Sequence, residues 1–306
     1  MTLLTKTSQF STASTTRMSA PLAIAYSPAG RYAFDKITQV FLAVGLVMMG
    51  ASLVNLPVGR TTNPLTLPLC QYVRSVAIGN ERFELLDATT RVYQGIVHQE
   101  PRYVAPGENW LQAALGLIYG PIKTTQDTDR LLAGGIANCS ERSQILKTIA
   151  ESAGYPCRFV GLQGHVVLEV LDGDRWRMAD PDYGVVFDLG VELLALPDQQ
   201  PDVVTALASR GYPSQTIARY LEILQSTDNN QWLPIGSPLS PRLYKIEQAC
   251  HWLIWILPTT AILVGLSPAL LSQRTKVVAV RKRTTQYQAK SPKVVLVMAH
   301  GETENR

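Results

Sequence analysis

Two stretches of the chain are apolar on every side. Ile37 to Pro57 (ITQVFLAVGLVMMGASLVNLP) carries no charge, and His251 to Leu271 (HWLIWILPTTAILVGLSPALL) has only its leading imidazole as a titratable group. At ~1.5 Å per residue, each reaches across the ~30 Å hydrocarbon core of a bilayer as one helix. Pro258 and Pro268 in the second run predict kinks, which membrane helices tolerate. Trp252 and Trp255 stand near its start, where an interfacial aromatic belt is expected. The competing reading, a buried core helix, is disfavoured because uncharged runs of this length are rare in soluble cores. The first run follows a 36-residue tail, is longer than the ~7–15 residues of a signal-peptide core, and precedes no small-x-small cleavage site. It reads as a retained signal-anchor.

The rest of the chain alternates in shorter periods. Phe83, Leu86, Ala88, Val92 and Ile96 recur at helical spacing between Asn80 and His98, and Asn109–Ile118 (NWLQAALGLI) predicts a second helix. Asn138–Ala153 is the strongest helix outside the apolar runs. Asn138 and Glu141 form a capping-box pattern, Ile145, Leu146, Ile149 and Ala153 share a face, and Gly154 and Pro156 stop it. Strands are expected at about Arg158–Leu171, Arg175–Asp180 and Val185–Leu189. Helices follow at Asp202–Ser209 and at Ser214–Gln225, with Ser214 as cap, and a helix from Pro241 runs into the second apolar run. Residues 1–30 show no period and read as disordered. Residues 58–69, with two prolines, read as an extended linker.

Charge gives this pattern a direction. The chain has 306 residues, 46% hydrophobic and only 17% charged, with a net charge of +4. That net hides two basic ends. Residues 1–36 carry four Lys/Arg against one Asp, a net of +3, and residues 272–306 carry eight against two Glu, a net of +6. The stretch 58–249 holds 16 Lys/Arg and 21 Asp/Glu, a net of −5. Basic flanks stay in the cytoplasm. The expected organisation is therefore a cytoplasmic tail (1–36), a transmembrane helix (37–57), an extracytoplasmic, periplasmic domain (58–249), a second transmembrane helix (251–271) and a basic cytoplasmic tail (272–306). Arg281-Lys282-Arg283 beside a membrane helix marks the inner leaflet and the lipid bilayer as partner, with no nucleic acid expected.

Candidate chemistry lies in the middle domain. Asp172-Gly173 between apolar runs is a strong two-residue hairpin signal. With those two as the loop, Leu171 faces Asp174, Glu169 faces Trp176, and His165 faces Asp180. Opposed residues lie ~4.5–5.5 Å apart at Cβ, within reach of an imidazole–carboxylate hydrogen bond. The plain alternative is a surface cross-strand pair. Cys139 shifts the balance. It falls in the first turn of the capped helix, where free backbone N–H groups and the dipole favour a thiolate. Such a thiol is a candidate nucleophile when a base adjoins it. His165 is the base, Asp180 orients the ring, and the Cys139 N–H offers one oxyanion donor.

The run from Gly134 to Gly184, about a sixth of the chain, resembles the core of the transglutaminase-like superfamily, in its membrane-anchored bacterial type. The resemblance rests on Cys139 at a helix start, Gly154-Tyr-Pro-Cys-Arg158, His165 heading a strand, and Trp176 through Asp180-Pro181. Ala137 stands where glycine is usual, and Val167 where an aromatic is often found. The resemblance implies an α+β, papain-like core at about 130–190, and a Cys139–His165–Asp180 triad. It further implies a thiol enzyme acting on peptide, protein or cell-envelope amides or esters, either by hydrolysis or by acyl transfer to an amine. The alternative is an inactive module of the same fold that docks partners in envelope or exopolysaccharide assembly.

Other polar residues have weaker claims. Asp182 lies past Pro181 and off the hairpin register. Gln112 and Gln126 are both open as second oxyanion donors. Cys157 reads as buried and as a possible disulfide partner of Cys70, and Cys250 as inert. His98, His251 and His300 lack evident partners. With no spaced Cys/His set and no phosphate-binding glycine loop, no metal or cofactor is expected.

Overall fold

The structure, a computed structural model, describes residues 28–58, 64–226 and 230–290. The chain divides into two compact units, one of Met1–Val40 with Pro268–Arg306 and one of Phe41–Ser267. The fold is α+β. In chain order the elements are α1 (Pro28–Val58), α2 (Leu67–Ala77), α3 (Leu85–Gly95), β1 (Val97–His98), α4 (Trp110–Ile118), α5 (Thr128–Gly134), β2 (Ile136–Ala137) and α6 (Cys139–Ser152). Then come β3 (Cys157–Leu162), β4 (His165–Asp172), β5 (Arg175–Asp180), β6 (Val185–Phe187), α7 (Val191–Leu194), α8 (Gln200–Ser209), α9 (Ser214–Gln225), β7 (Gln231–Trp232) and α10 (Pro241–Lys290).

α1 and α10 contain the two apolar runs, and each is long and apolar enough to cross a membrane. Only 17% of each candidate span, Lys36–Leu53 and Pro241–Ser267, is buried by protein. A helix apolar all round and open to its surroundings fits a hydrocarbon solvent, not a soluble core. Within the second unit the two helices run antiparallel at close range. A Cβ on Gly45 would lie 2.9 Å from Ile262 Cγ1, and one on Gly265 would lie 2.7 Å from Leu42 Cβ. Glycine at these places lets the backbones approach, as small residues do between membrane helices. α10 continues unbroken through Pro258 and Pro268. Helix also occupies 28–36 and 272–290, assigned from sequence to the two tails. The reading of residues 1–27 as disordered lies outside the described residues.

A five-stranded antiparallel sheet, ordered β6-β5-β4-β3-β7, forms the centre of the second unit. Side chains alternate faces along a strand, so each face has its own core. Cys157, Phe159, Leu168, Val170 and Ala179 pack against α2, α3, α5 and α6. Val160, Leu162, Val167, Met178 and Phe187 pack against α7, α8 and α9. β4 is therefore buried on both sides.

Five expectations change. The long strand expected at 158–171 is two strands, because Gln163-Gly164 turns the chain and Leu162 pairs with His165; Gly164 supplies the left-handed backbone (φ +79°). The β4–β5 hairpin turns on Gly173-Asp174, not on Asp172-Gly173: Asp172 pairs with Arg175, and Leu171 with Trp176. A loop with glycine at its first position needs a positive φ there alone, and Gly173 has φ +66°. The Asp172-Gly173 alternative, as a type I′ turn, would also force Asp172 into that region. α2 takes up part of the stretch read as linker, with Pro68 in its first turn. In α3, Leu85 is buried and Leu86 is exposed, so the apolar stripe sits one residue earlier than the spacing suggested. At α9, Pro213 occupies the cap position and Ser214 is the first helical residue.

Candidate active site

Cys139 is the first residue of α6, behind a complete capping box. The Asn138 side chain accepts from Glu141 N–H (2.9 Å), and the Glu141 carboxylate accepts from Asn138 N–H (3.0 Å). The carboxylate also accepts from Arg102 N–H, which ties the approach loop to the same turn. The N–H of a first-turn residue has no acceptor within its own helix. The thiol is partly exposed, whereas Cys70, Cys157 and Cys250 are buried; all four cysteines are free, so the Cys70–Cys157 disulfide is not formed. Burial pushes the Cys157 thiol up to about 12, which removes it as a nucleophile.

β1 sets the other wall. It pairs in parallel with β2, with His98 opposite Ala137, and Gln99 N–H continues the ladder to the Ala137 carbonyl. The residues just before Cys139 are thus fixed on both sides.

His165 and Asp180 meet, by a route different from the expected one. The two-residue slip in the hairpin moves every partner along the strand but leaves each side chain on its face. Continued past the last ladder pair, Leu168–Ala179, the register sets Asp180 against Val167. His165 is then its diagonal neighbour, still within reach of a ring. His165 Nε2 lies 2.7 Å from Asp180 Oδ2, with both residues buried. The other ring nitrogen, Nδ1, is left free of Asp180, and Cys139 lies near enough to the ring to favour its charged form. α6 packs on the opposite face of the sheet from His165, and the two meet because His165 is the first residue of β4, at the strand's open end.

Asp180 is fully enclosed, with 0% exposure. Oδ1 accepts from Asp182 N–H (2.9 Å) and Tyr183 N–H (3.2 Å), and Oδ2 accepts from His165 and from the Tyr220 hydroxyl (3.0 Å). Burial works against a charged His165, but the adjoining Asp180 charge, its hydrogen bond and the Cys139 contact outweigh it. The ring is held well above the usual histidine range, which favours its charged form. Burial, and then the Asp180 charge, raises the Tyr220 phenol, so it remains a donor.

Three tyrosines enclose the ring. Tyr183 meets His165 edge-on at 5.6 Å and Tyr220 at 4.8 Å, while Tyr212 stacks on Tyr183 at 5.1 Å. Sequence reasoning did not pick out Tyr220. Its signal is the stripe Ile217, Tyr220, Leu224 in α9, which turns it inward; which strand it meets is a tertiary fact. Tyr220→Phe keeps the shape and removes a donor to a buried carboxylate, a loss of about 1.5–3 kcal/mol. The expected result is a lower melting temperature together with a shifted pH profile of Cys139 alkylation. An unchanged profile would reduce Tyr220 to packing.

The remaining candidates have other tasks. Asp182 accepts from buried Arg142 (3.1 Å) and pairs with His98 Nδ1 (2.6 Å), so His98 does have a partner. Arg142 also donates to the carbonyls of Ile96, Pro181 and Asp182, which pins the turn after Asp180 to α6. Gln112 donates to the Ile122 and Thr124 carbonyls, and Gln126 to that of Ser240, so both amides are committed to backbone. Arg158 and Trp176 build a support away from the thiol. The guanidinium lies 4.1 Å over the indole and donates to buried Glu169 (2.6 Å), which also holds Val191 N–H (2.7 Å). A 470 Å³ cavity lined by Phe83, Tyr155 and Arg177 shares no residue with Cys139, His165 or Asp180. Among the described residues no group of His, Cys, Asp and Glu is placed to hold a metal ion. No protein-family model matches the chain, and no curated protein matches it.

Proposed function

We propose that the protein is a membrane-anchored thiol enzyme with a transglutaminase-like, papain-like core, and that it opens amide or ester bonds through Cys139. The observation that carries this reading is a buried His165–Asp180 pair, 2.7 Å apart, beside the partly exposed thiol of a helix-terminal Cys139. The Cys139 sulfur attacks the carbonyl carbon, forming a C–S bond and an oxyanion that the Cys139 N–H faces. His165 gives its proton to the leaving amine or alcohol as the C–N or C–O bond breaks. Water or an amine then attacks the thioester, returns a proton to His165, and releases the thiolate. Asp180 keeps the ring oriented throughout and stabilises its charged form before and after the proton is passed on. Substrates are peptide, protein or cell-envelope amides. The +3, −5, +6 charge pattern supports cytoplasmic termini and an extracytoplasmic domain.

The test is covalent. Membranes carrying the full chain are treated with an activated acyl ester, and the modified peptide is identified by mass. A thioester on Cys139 that disappears on adding an amine or on standing in water is expected. An accessible Cys139 that forms no thioester would overturn the enzymatic reading in favour of a binding module.

A further inference from the structure

Asn109 to Ile122 (NWLQAALGLIYGPI) contains no charged residue. α4 lies within it, and its far end is bare: Leu117 is 80% exposed, Ile118 85% and Tyr119 56%. Three consecutive large side chains in the open are costly in water, and single exposed leucines elsewhere do not form such a run.

The near end of α4 is fastened to the apolar helix pair. Trp110 Nε1 donates to Ser52 Oγ of α1 (3.1 Å), and that hydroxyl lies 2.6 Å from the Ile254 carbonyl oxygen of α10. The returning segment is fastened as well. Gln112 holds the Ile122 and Thr124 carbonyls and accepts from Arg130, which reaches Glu247 of α10. Glu247 also takes Thr125 Oγ1 and Gln126 N–H. Lys123 lies with its aliphatic stem across Gly116, where a Cβ would sit 2.1 Å from Lys123 Cγ. That is how a lysine covers an apolar surface while its ammonium stays in water.

We propose that α4 and the turn after it form an interfacial foot, with Leu117, Ile118 and Tyr119 embedded in the same leaflet as the outer ends of α1 and α10. The partner is the lipid bilayer. The segment that carries the bare end is fastened at both its ends to the two apolar helices, and it offers no charge with which to select a protein. The foot rests on the reading of α1 and α10 as membrane spans. A third contact fixes the rotation of the domain about the helix pair, which two spans alone leave free.

The experiment places a photoreactive diazirine amino acid at single positions of the full chain in phosphatidylcholine–phosphatidylglycerol vesicles. Position 118 is compared with position 47, an exposed valine of α1 (74%), and position 193, an exposed leucine of α7 (49%) with no tie to α1 or α10. Lipid adducts at 47 and 118, and none at 193, are expected. Adducts at 47 with none at 118, or equal adducts at 118 and 193, would overturn the foot and leave the membrane spans standing. Cross-linking of 118 to a second copy of the chain would do the same. Absence of adducts at 47 would remove the spans and the foot together.

Discussion

Cys139→Ala is expected to abolish turnover while leaving the fold and the other three cysteines as they are. The thiol is partly exposed and supports no core cluster, so its removal takes away the nucleophile and little else. In the unaltered protein, Cys139 should be alkylated by iodoacetamide much faster than Cys70, Cys157 and Cys250, which are buried. The pair works because His165 is held above its usual range and supplies the opposing charge. The sign follows from that direction. Below the raised value the ring is an imidazolium, which stabilises a thiolate and can protonate a leaving group. As pH rises through that value the ring loses its proton, and turnover falls on the alkaline side. His165→Ala should therefore slow alkylation of Cys139 and flatten the alkaline limb of turnover. Rates measured cysteine by cysteine check this. Equal rates for Cys139 in both proteins at pH 6 would sink the ion pair.

Asp180→Asn should cost about as much turnover as losing the base, although it removes no atom from the reacting pair. Asp180 accepts four hydrogen bonds on two oxygens, and an amide has one oxygen for them. If that oxygen keeps the Asp182 and Tyr183 N–H groups, the NH₂ points at His165 Nε2 and the Tyr220 hydroxyl. The ring must then present a lone pair at Nε2 and carry its proton on Nδ1, towards the thiol. That tautomer cannot accept the thiol proton, and a drop of roughly 10⁴-fold in kcat is expected, as for a triad held in the wrong tautomer. Alkylation of Cys139 should slow as the imidazolium loses its counter-ion. Turnover within tenfold of the unaltered protein would mean that Asp180 only shapes the fold.

Most of the site could be read from the sequence because it depends on local signals. Asn138, Glu141 and Gly154 bound one helix, and that alone puts Cys139 in its first turn. Asp180 and His165 could be brought together even with the wrong loop residues, since a slip of two keeps the faces. The distinction between Gly173-Asp174 and Asp172-Gly173 was not legible, because both dipeptides suit tight turns and only the sign of φ at Asp172 separates them. Nor could residues from distant segments be placed. Tyr220 lies forty residues from Asp180 along the chain, and its inward face says nothing of which group it meets. The same holds for His98, whose partner Asp182 is brought near by the β1–β2 pair. α2 was missed because its prolines argued for extension, while Pro68 in fact occupies the first turn, where its lost N–H costs nothing.

The hairpin's parity also limits how this chain can vary in length. A single inserted or deleted residue between Asp172 and Arg175 would send Met178 and Asp180 to the face of Ala179, and Ala179 to theirs. Both cores and the site would fail at once. With the turn kept, a deletion of two would preserve the alternation but carry the carboxylate ~6.6 Å along the strand, away from the ring, whereas an insertion of two would set it directly opposite His165. Descendants of this sequence that keep the chemistry are thus held to one parity of turn length here, while the exposed segments around Glu100 or Asp198 remain open to insertion.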